Sequence, residues 1–335
     1  MEINTKIENC PLVSVIVPAY NHEHYIDDLL DSLVDQSYPR IELLVCDDRS
    51  TDNTFDKLKK REKELINTFE KVCICQNESN QGVVKTINRM LDMSRGKYVK
   101  VIASDDFFVH DGIERLVLFY EENQQYDIIF SNCVICDENT HYPVNVDCFR
   151  AGYSSVPDLS GNVFQKMFES NIILGSTVFA LKNTYLKYGY YDENFAIEDW
   201  EYSLRMACYG KIGFFNEKTV AYRVVKTSQC HYTRDVNGRL RFRRMYKNII
   251  GIHKKYQCSK IDLKRGYSKV YSLLLSTAID SCDNKAIKNI YRVKKKFKLS
   301  FDREIQLKYI TYRMHVLLPI QALKRKLGLE AGGVG

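Results

Sequence analysis

The 335-residue chain has no uninterrupted apolar run of the roughly 18 residues that a helix needs to cross a bilayer. Any meeting with a membrane is therefore expected at its surface. An apolar stretch of the kind that directs secretion is also missing before Pro11, and no signal peptide is expected. Eleven cysteines are an odd number for a disulfide framework. They read as reduced, mostly buried thiols of a cytoplasmic protein. Cys133 and Cys136 form a CxxC and Cys73 with Cys75 a CxC, but neither has the second half of a zinc site. No nucleic-acid-binding module is present, so nucleic acid is not an expected partner.

What is present is ordinary in bulk and uneven in charge. Hydrophobic residues make up 45% and charged residues 27%, as in a soluble globular protein. From Val236 onward there are 24 Lys and Arg against 6 Asp and Glu, a net of +18, which leaves −11 for residues 1–235. An acidic front joined to a basic tail predicts two regions, 1–235 and 236–335, and an anionic surface as partner of the second.

The front alternates strands and helices. Leu12 to Val17 reads as a buried strand running into Pro18, Ala19, Tyr20 and Asn21. The next segment repeats Ile26, Leu29, Leu30, Leu33 and Val34 at helical spacing. A strand from Ile41 to Cys46 leads into Asp47 and Asp48, with Ser50 or Asp52 as candidate cap for a helix near Thr54. Lys71 to Cys75 is a third strand, followed by a turn at Asn80-Gln81-Gly82, a helix carrying Lys85 and Ile87, and Gly96 to close it. This order predicts right-handed parallel βαβ units, which deliver Tyr20 and Asp48 to one sheet edge. Residues 137–160, with Pro143, Gly152 and Pro157, read as a loop or lid.

The stretch that organises the chain is Val99 to Phe107. Its β-branched residues form a central strand that runs into Ser104, Asp105 and Asp106. Two acids at a strand's carboxyl end face the ligand crevice of an open α/β sheet, and beside an anionic ligand they call for a divalent cation. A helix N-cap at Asp106 or Asp111 is the competing reading. A second acidic set, Glu198 and Asp199, precedes a helical stripe of Trp200, Leu204 and Ala207. There Asp199 is either a carboxylate stabilised by the helix dipole or a general base.

Five segments in this order, VSVIVPAYN (Val13 to Asn21), LLVCDDRSTDNT (Leu43 to Thr54), NQGVVKTIN (Asn80 to Asn88), GKYVKVIASDDF (Gly96 to Phe107) and GYYDENFAIEDWEYSLR (Gly189 to Arg205), resemble the inverting glycosyltransferases of family 2. The resemblance implies a GT-A fold, a Rossmann-like α/β architecture with a mostly parallel central sheet flanked by helices. Here it would carry a basic helical appendage. It further implies a nucleotide-sugar donor, UDP by family habit, and a divalent metal, Mn2+ or Mg2+. Pro18, Ala19 and Tyr20 would line the nucleoside pocket and Asp48 would accept a hydrogen bond from the base. Asn80, Gly82 and Lys85 would cover ribose and diphosphate. Asp106, with Asp105 and Ser104 beside it, matches the metal motif; Asp199 matches the catalytic base, and Gly175, Ser176 and Thr177 the backbone presented to donor sugar or acceptor. The chain departs from the family at Ala103, where many relatives have an acid, at Ile87, where an arginine is common, and after Tyr222-Arg223, where the next histidine is His231.

From Arg239 onward, Lys and Arg alternate with aromatic and aliphatic residues at helical spacing, most clearly around Met314 to Leu327. That pattern fits attachment to an anionic membrane leaflet, with a saccharide acceptor linked to a lipid diphosphate. It also fits a helical appendage with a solvated basic face. A sugar-nucleotide pyrophosphorylase is disfavoured because Pro18-Ala19-Tyr20-Asn21 stands where that class has a Gly-rich, Lys-containing loop. A non-catalytic nucleotide-sugar-binding scaffold would have no use for an acid at position 199.

Overall fold

In the computed structural model, residues 10–143, 163–169, 171–195, 197–225, 247–256, 262–280 and 282–312 are described. The chain divides into two units, one of residues 1–167 and 171–228, the other of 168–170 and 229–335. The boundary expected after residue 235 falls outside the described residues, as do most of the expected lid at 137–160, His231 and the segment 313–335.

In the first unit four parallel strands carry one half of an eight-stranded sheet: β1 (Val13–Ala19), β2 (Ile41–Asp47), β3 (Lys71–Gln76) and β4 (Tyr98–Val101). The other half holds β5 (Phe107–Phe108), β6 (Ile128–Asp137), β7 (Val178–Leu181) and β8 (Ile212–Val224), in the overall order β3-β2-β1-β4-β7-β6-β8-β5. Strand β7 runs antiparallel to both β4 and β6, and β5 antiparallel to β8. Successive residues of the central strands pack to opposite sides: Val15, Val17, Leu43 and Val45 join one apolar cluster, Ile16, Leu44 and Cys46 the other. With both faces covered, the strands read as continuous apolar runs, which is why the sequence shows them so plainly.

Helix Ile26–Val34 buries Ile26, Leu29, Leu30 and Leu33 on one stripe, and helices Thr54–Thr68 and Val83–Met93 complete the crossovers. The last of these ends at Met93 with Ser94 at its C-cap, so Gly96 does not close it. Gly96 serves a close approach instead: a Cβ there would lie 2.6 Å from the Ser14 nitrogen on β1. The chain leaves β1 for β2 and β3 on one side, then returns to place β4 on the other. The strand order thus reverses between β1 and β4, the place where open α/β sheets bind ligands, at the strands' carboxyl ends.

In the second unit, helices Leu263–Asp280, Asn284–Phe297 and Arg303–Tyr312 follow helical residues 247–255. Val270, Leu274, Ile287, Ile290 and Phe301 are buried among them. Among the described residues no helix is long and apolar enough to cross a membrane. Eight cysteines fall among the described residues; Cys46, Cys133 and Cys136 are buried and the other five half-buried, fewer buried than expected.

Candidate active site

Both strands at the reversal deliver candidate residues. Tyr20, 41% exposed just past β1, offers its ring to solvent, while Ala19 is buried and Pro18 half-buried. Asn21 holds a left-handed φ of 54°, its N–H donating to Ser50 Oγ (2.9 Å) and its side-chain oxygen accepting from Thr51 N (2.8 Å). That exchange ties the β1 loop to the β2 loop. The N-cap of helix Thr54–Thr68 is Asn53, so neither expected cap holds that position; Asp52 accepts from Thr54 N at 3.0 Å and Ser50 serves the β1 loop.

Asp48, expected to meet the base, is buried and already serves three donors: Asn77 Nδ2 (2.8 Å), Gln81 N (2.7 Å) and Gly82 N (2.7 Å). Its carboxylate shapes the turn from which Asn80 and Lys85 project, both exposed. Gly82 opens the following helix at φ 87°, a backbone state that favours glycine.

Beyond β4 the chain turns at Ser104 and Asp105. Helix Gly112–Glu122 has Asp111 at its N-cap, so Asp106 is not a cap. Asp106 is buried; its Oδ1 accepts from Arg223 N at 2.9 Å and its Oδ2 has no hydrogen-bond partner. Its pKa is pushed up to about 8, first by burial and then by Asp105, against the Ser176 hydroxyl and Arg223. A buried carboxylate oxygen without a partner is costly unless something meets it. Among the described residues no three His, Cys, Asp and Glu side chains are arranged to hold a metal. Asp105 and Asp106 nevertheless fit Mg2+ or Mn2+, which is bound by one or two carboxylates with substrate phosphates and water supplying the rest.

Three residues around this turn were not picked out as site residues by the sequence. His22 places Nδ1 2.7 Å from Ser104 Oγ and 3.9 Å from Asp105 Oδ1. Arg223, noticed only as half of a Tyr-Arg pair, is buried between the rings of Tyr25 and Phe107, and donates to Asp105 O, Asp28 Oδ2 and Thr140 O at 2.8 Å each. Lys100 points inward from β4, 0% exposed, and its ammonium donates to the carbonyls of Ser176 and Val178. Burial pushes its pKa down to about 7, with Asp106 opposing. A lysine inside an apolar strand was the one signal in the sequence that could have exposed it.

The Ser176 that Lys100 grips belongs to a short 3-10 turn, Gly175–Thr177, and its hydroxyl also accepts from Ala103 N at 3.2 Å. On the neighbouring residue, a Cβ at Gly175 would lie 3.3 Å from Asp199 Cβ. Asp106 and Asp199, 93 positions apart in the sequence, thus flank consecutive residues of one turn. Asp199 lies in the first turn of helix Glu198–Tyr209, whose N-cap position is Ile197. Its Oδ1 accepts from Trp200 N (2.7 Å) and its Oδ2 from Asn171 Nδ2 (3.2 Å). Burial raises its pKa; burial and then Asp199 push that of Glu198 up to about 8. Two acids side by side in a partly closed site hold protons longer than free carboxylates do.

Comparison with known proteins agrees with this architecture. Residues 14–176 match the family described as Glycosyl transferase family 2. An uncharacterized glycosyltransferase of Haemophilus influenzae is 29% identical over 220 residues, 65% of this chain and 67% of that protein. The UDP-Glc:alpha-D-GlcNAc-diphosphoundecaprenol beta-1,3-glucosyltransferase WfgD of Escherichia coli is 32% identical over 130 residues, 37% of this chain and 49% of its own length. The chain thus spans about half to two thirds of these relatives. In fold it is similar to the mannosyltransferase PcManGT of Pyrobaculum calidifontis, solved with GDP-Man and Mn2+, at TM-score 0.57 and 16% identity over 97% of this chain and 89% of that one. It is similar also to S. aureus TarS 1-349, solved with UDP-GlcNAc, at TM-score 0.54 and 16% identity over 87% and 93% of the two chains. The fold is that of the GT-A glycosyltransferases.

Proposed function

We propose that the chain, whose residues 14–176 match glycosyltransferase family 2, moves a sugar, with inversion, from a UDP-sugar to a saccharide acceptor linked to a lipid diphosphate, in surface polysaccharide assembly. The observation that carries the reading is the Gly175–Thr177 turn, with Asp106 on one side and Asp199 on the other. Asp105 and Asp106 would hold Mn2+ or Mg2+, which supplies positive charge to the diphosphate as it leaves. Asp199 takes the proton of an acceptor hydroxyl while that oxygen forms its bond to the anomeric carbon. The bond from that carbon to the diphosphate breaks on the opposite face, and UDP departs. Pro18, Ala19 and Tyr20 line the nucleoside, Asp48 holds the 77–82 turn against it, and Lys85 reaches the diphosphate.

Donor and acceptor class are supported by the activity for which the E. coli relative is named, and the metal by the Mn2+ in the P. calidifontis structure. The basic residues 236–335 are the part that meets an anionic membrane surface, where such an acceptor resides.

The test is a screen of nucleotide sugars for release of the nucleoside diphosphate with Mn2+, Mg2+ or EDTA, on wild type and Asp199→Asn. Metal-dependent release that the substitution abolishes is the expected result. Turnover unchanged in Asp199→Asn would reject its assigned role.

A further inference from the structure

The helices of the two units differ in how surface charge is met. On helix Thr54–Thr68 three of five cations are paired: Lys57 with Asp27 (2.6 Å), Arg61 with Asp31 (2.8 Å) and Glu64, and Lys59 with Glu62. Helix Asn284–Phe297 buries Ala286, Ile287 and Ile290 and exposes Lys285, Lys288, Asn289, Arg292, Lys295 and Lys296 along the opposite side. Its sequence contains no acid, and its N-cap Asp283 spends its carboxylate on Lys285 N and Ala286 N. The ion pairs of this unit lie elsewhere, joining Arg265 to Glu169, Lys269 to Asp302 and Lys308 to Asp280. Among the described residues none of the five stripe cations forms an ion pair.

Cations three and four residues apart repel one another, so the stripe weakens the helix by a few tenths of a kcal/mol per neighbouring pair. An anionic partner would relieve that repulsion, and the shape of the face favours one kind. The five charges run straight for about 16 Å, the rise of 11 helical residues, and form a ridge rather than a cleft. Phe297, 57% exposed, is the last residue of the helix and falls in line with Ala286 and Ile290 rather than on the ridge. Tyr291 of the same helix lies against Tyr309, 4.1 Å between rings, on helix Arg303–Tyr312, where Leu307 and Ile310 are also exposed. A straight row of cations, in a unit that also exposes Phe297, Leu307 and Ile310, suits the headgroup layer of an anionic bilayer, which offers a broad negative surface above hydrocarbon.

We propose that helix Asn284–Phe297 is the surface by which this protein docks on anionic lipid, through Lys285, Lys288, Arg292, Lys295 and Lys296. The inference deepens the membrane part of the proposed function and is independent of the transfer chemistry. The Met314–Leu327 segment that the sequence favoured lies outside the described residues.

The full chain is sedimented with phosphatidylcholine vesicles, with and without phosphatidylglycerol, in the absence of any donor. Wild type is expected to partition only to the anionic vesicles, and less as salt rises. Lys288→Gln/Arg292→Gln/Lys295→Gln should lose about tenfold or more, each cation near an anionic surface contributing several-fold. Lys288→Arg/Lys295→Arg should keep wild-type binding, and circular dichroism should show both variants folded. Wild type that ignores anionic vesicles overturns the membrane reading as a whole. Wild type that binds while the neutralised variant binds equally overturns the assignment to this helix alone. Retention on a mixed-sequence RNA without vesicle binding would replace lipid by nucleic acid as the partner.

Discussion

Two acids meet at the Gly175–Thr177 turn, and they are held in different ways. Asp106 ends a stretch beyond β4 that Arg223 holds, its N–H on Oδ1 and its guanidinium on the Asp105 carbonyl, with no hydrogen-bond partner on Oδ2. Asp199 stands in the first turn of a helix, partly open to solvent, with both oxygens engaged by Trp200 N and Asn171 Nδ2. An oxygen left bare in a buried, rigid place is ready for a cation. A carboxylate oriented by two donors, with burial raising its pKa, is ready for a proton. Residue type is the same in both; the environment assigns the task.

Exchanging the charges breaks the comparison most sharply. Asp199→Asn keeps the shape and removes the proton acceptor, and should lower kcat by about 10² to 10⁴-fold with donor affinity intact, measured by single-turnover transfer and by donor titration. Asp106→Asn should act on the other side, weakening metal-dependent donor binding. Outer partners of a metal ligand already cost about 10–100-fold in metal affinity, so loss of the ligand itself is expected to cost about 100-fold or more.

Lys100 links the two sides through Ser176, and Lys100→Met leaves the Ser176 and Val178 carbonyls buried without their donor. Each orphaned group costs about 1–3 kcal/mol, read as a lowered Tm and a shallower urea midpoint. The loss has a pH signature. A lysine held at about 7 in the folded protein carries fewer protons than in the unfolded chain from there up to its ordinary value. In wild type this group makes stability rise with pH across that window, and Lys100→Met should remove that slope.

The smallest effect is expected from Glu198→Gln. Asp199 must be ionised to act, so the rate rises with pH along an acid limb lying above the ordinary carboxylate range. Burial is what raises the Asp199 pKa, and Glu198 keeps its proton to about 8, so Glu198→Gln should leave both limb and plateau nearly unchanged. A limb that moves to lower pH would show that a Glu198 charge acts on the base.

The sequence made the scaffold legible because strands covered on both faces repeat apolar residues without interruption, as in Val13–Val17 and Ile41–Cys46. It made each acid legible one at a time, by its place after a strand or before a helix stripe. What it did not reveal was their meeting, which depends on Gly175 and Ser176, small residues without a pattern of their own. Lys100 was hidden for a related reason. In a strand with one wet face a lysine points out, but here both faces are covered and it turns into the sheet. Asp48 shows the limit from the other side. Its position was legible, yet its three backbone and side-chain donors come from residues 77–82, about 30 positions on, and only the fold brings them there.

The most direct test of the division of labour between the two acids is calorimetric titration of UDP, with and without Mn2+, into wild type, Asp106→Asn and Asp199→Asn. Metal-dependent binding retained by Asp199→Asn and lost by Asp106→Asn is the result expected. Equal loss in both, or retention in Asp106→Asn, would contradict the assignment of cation to one side of the turn and proton to the other.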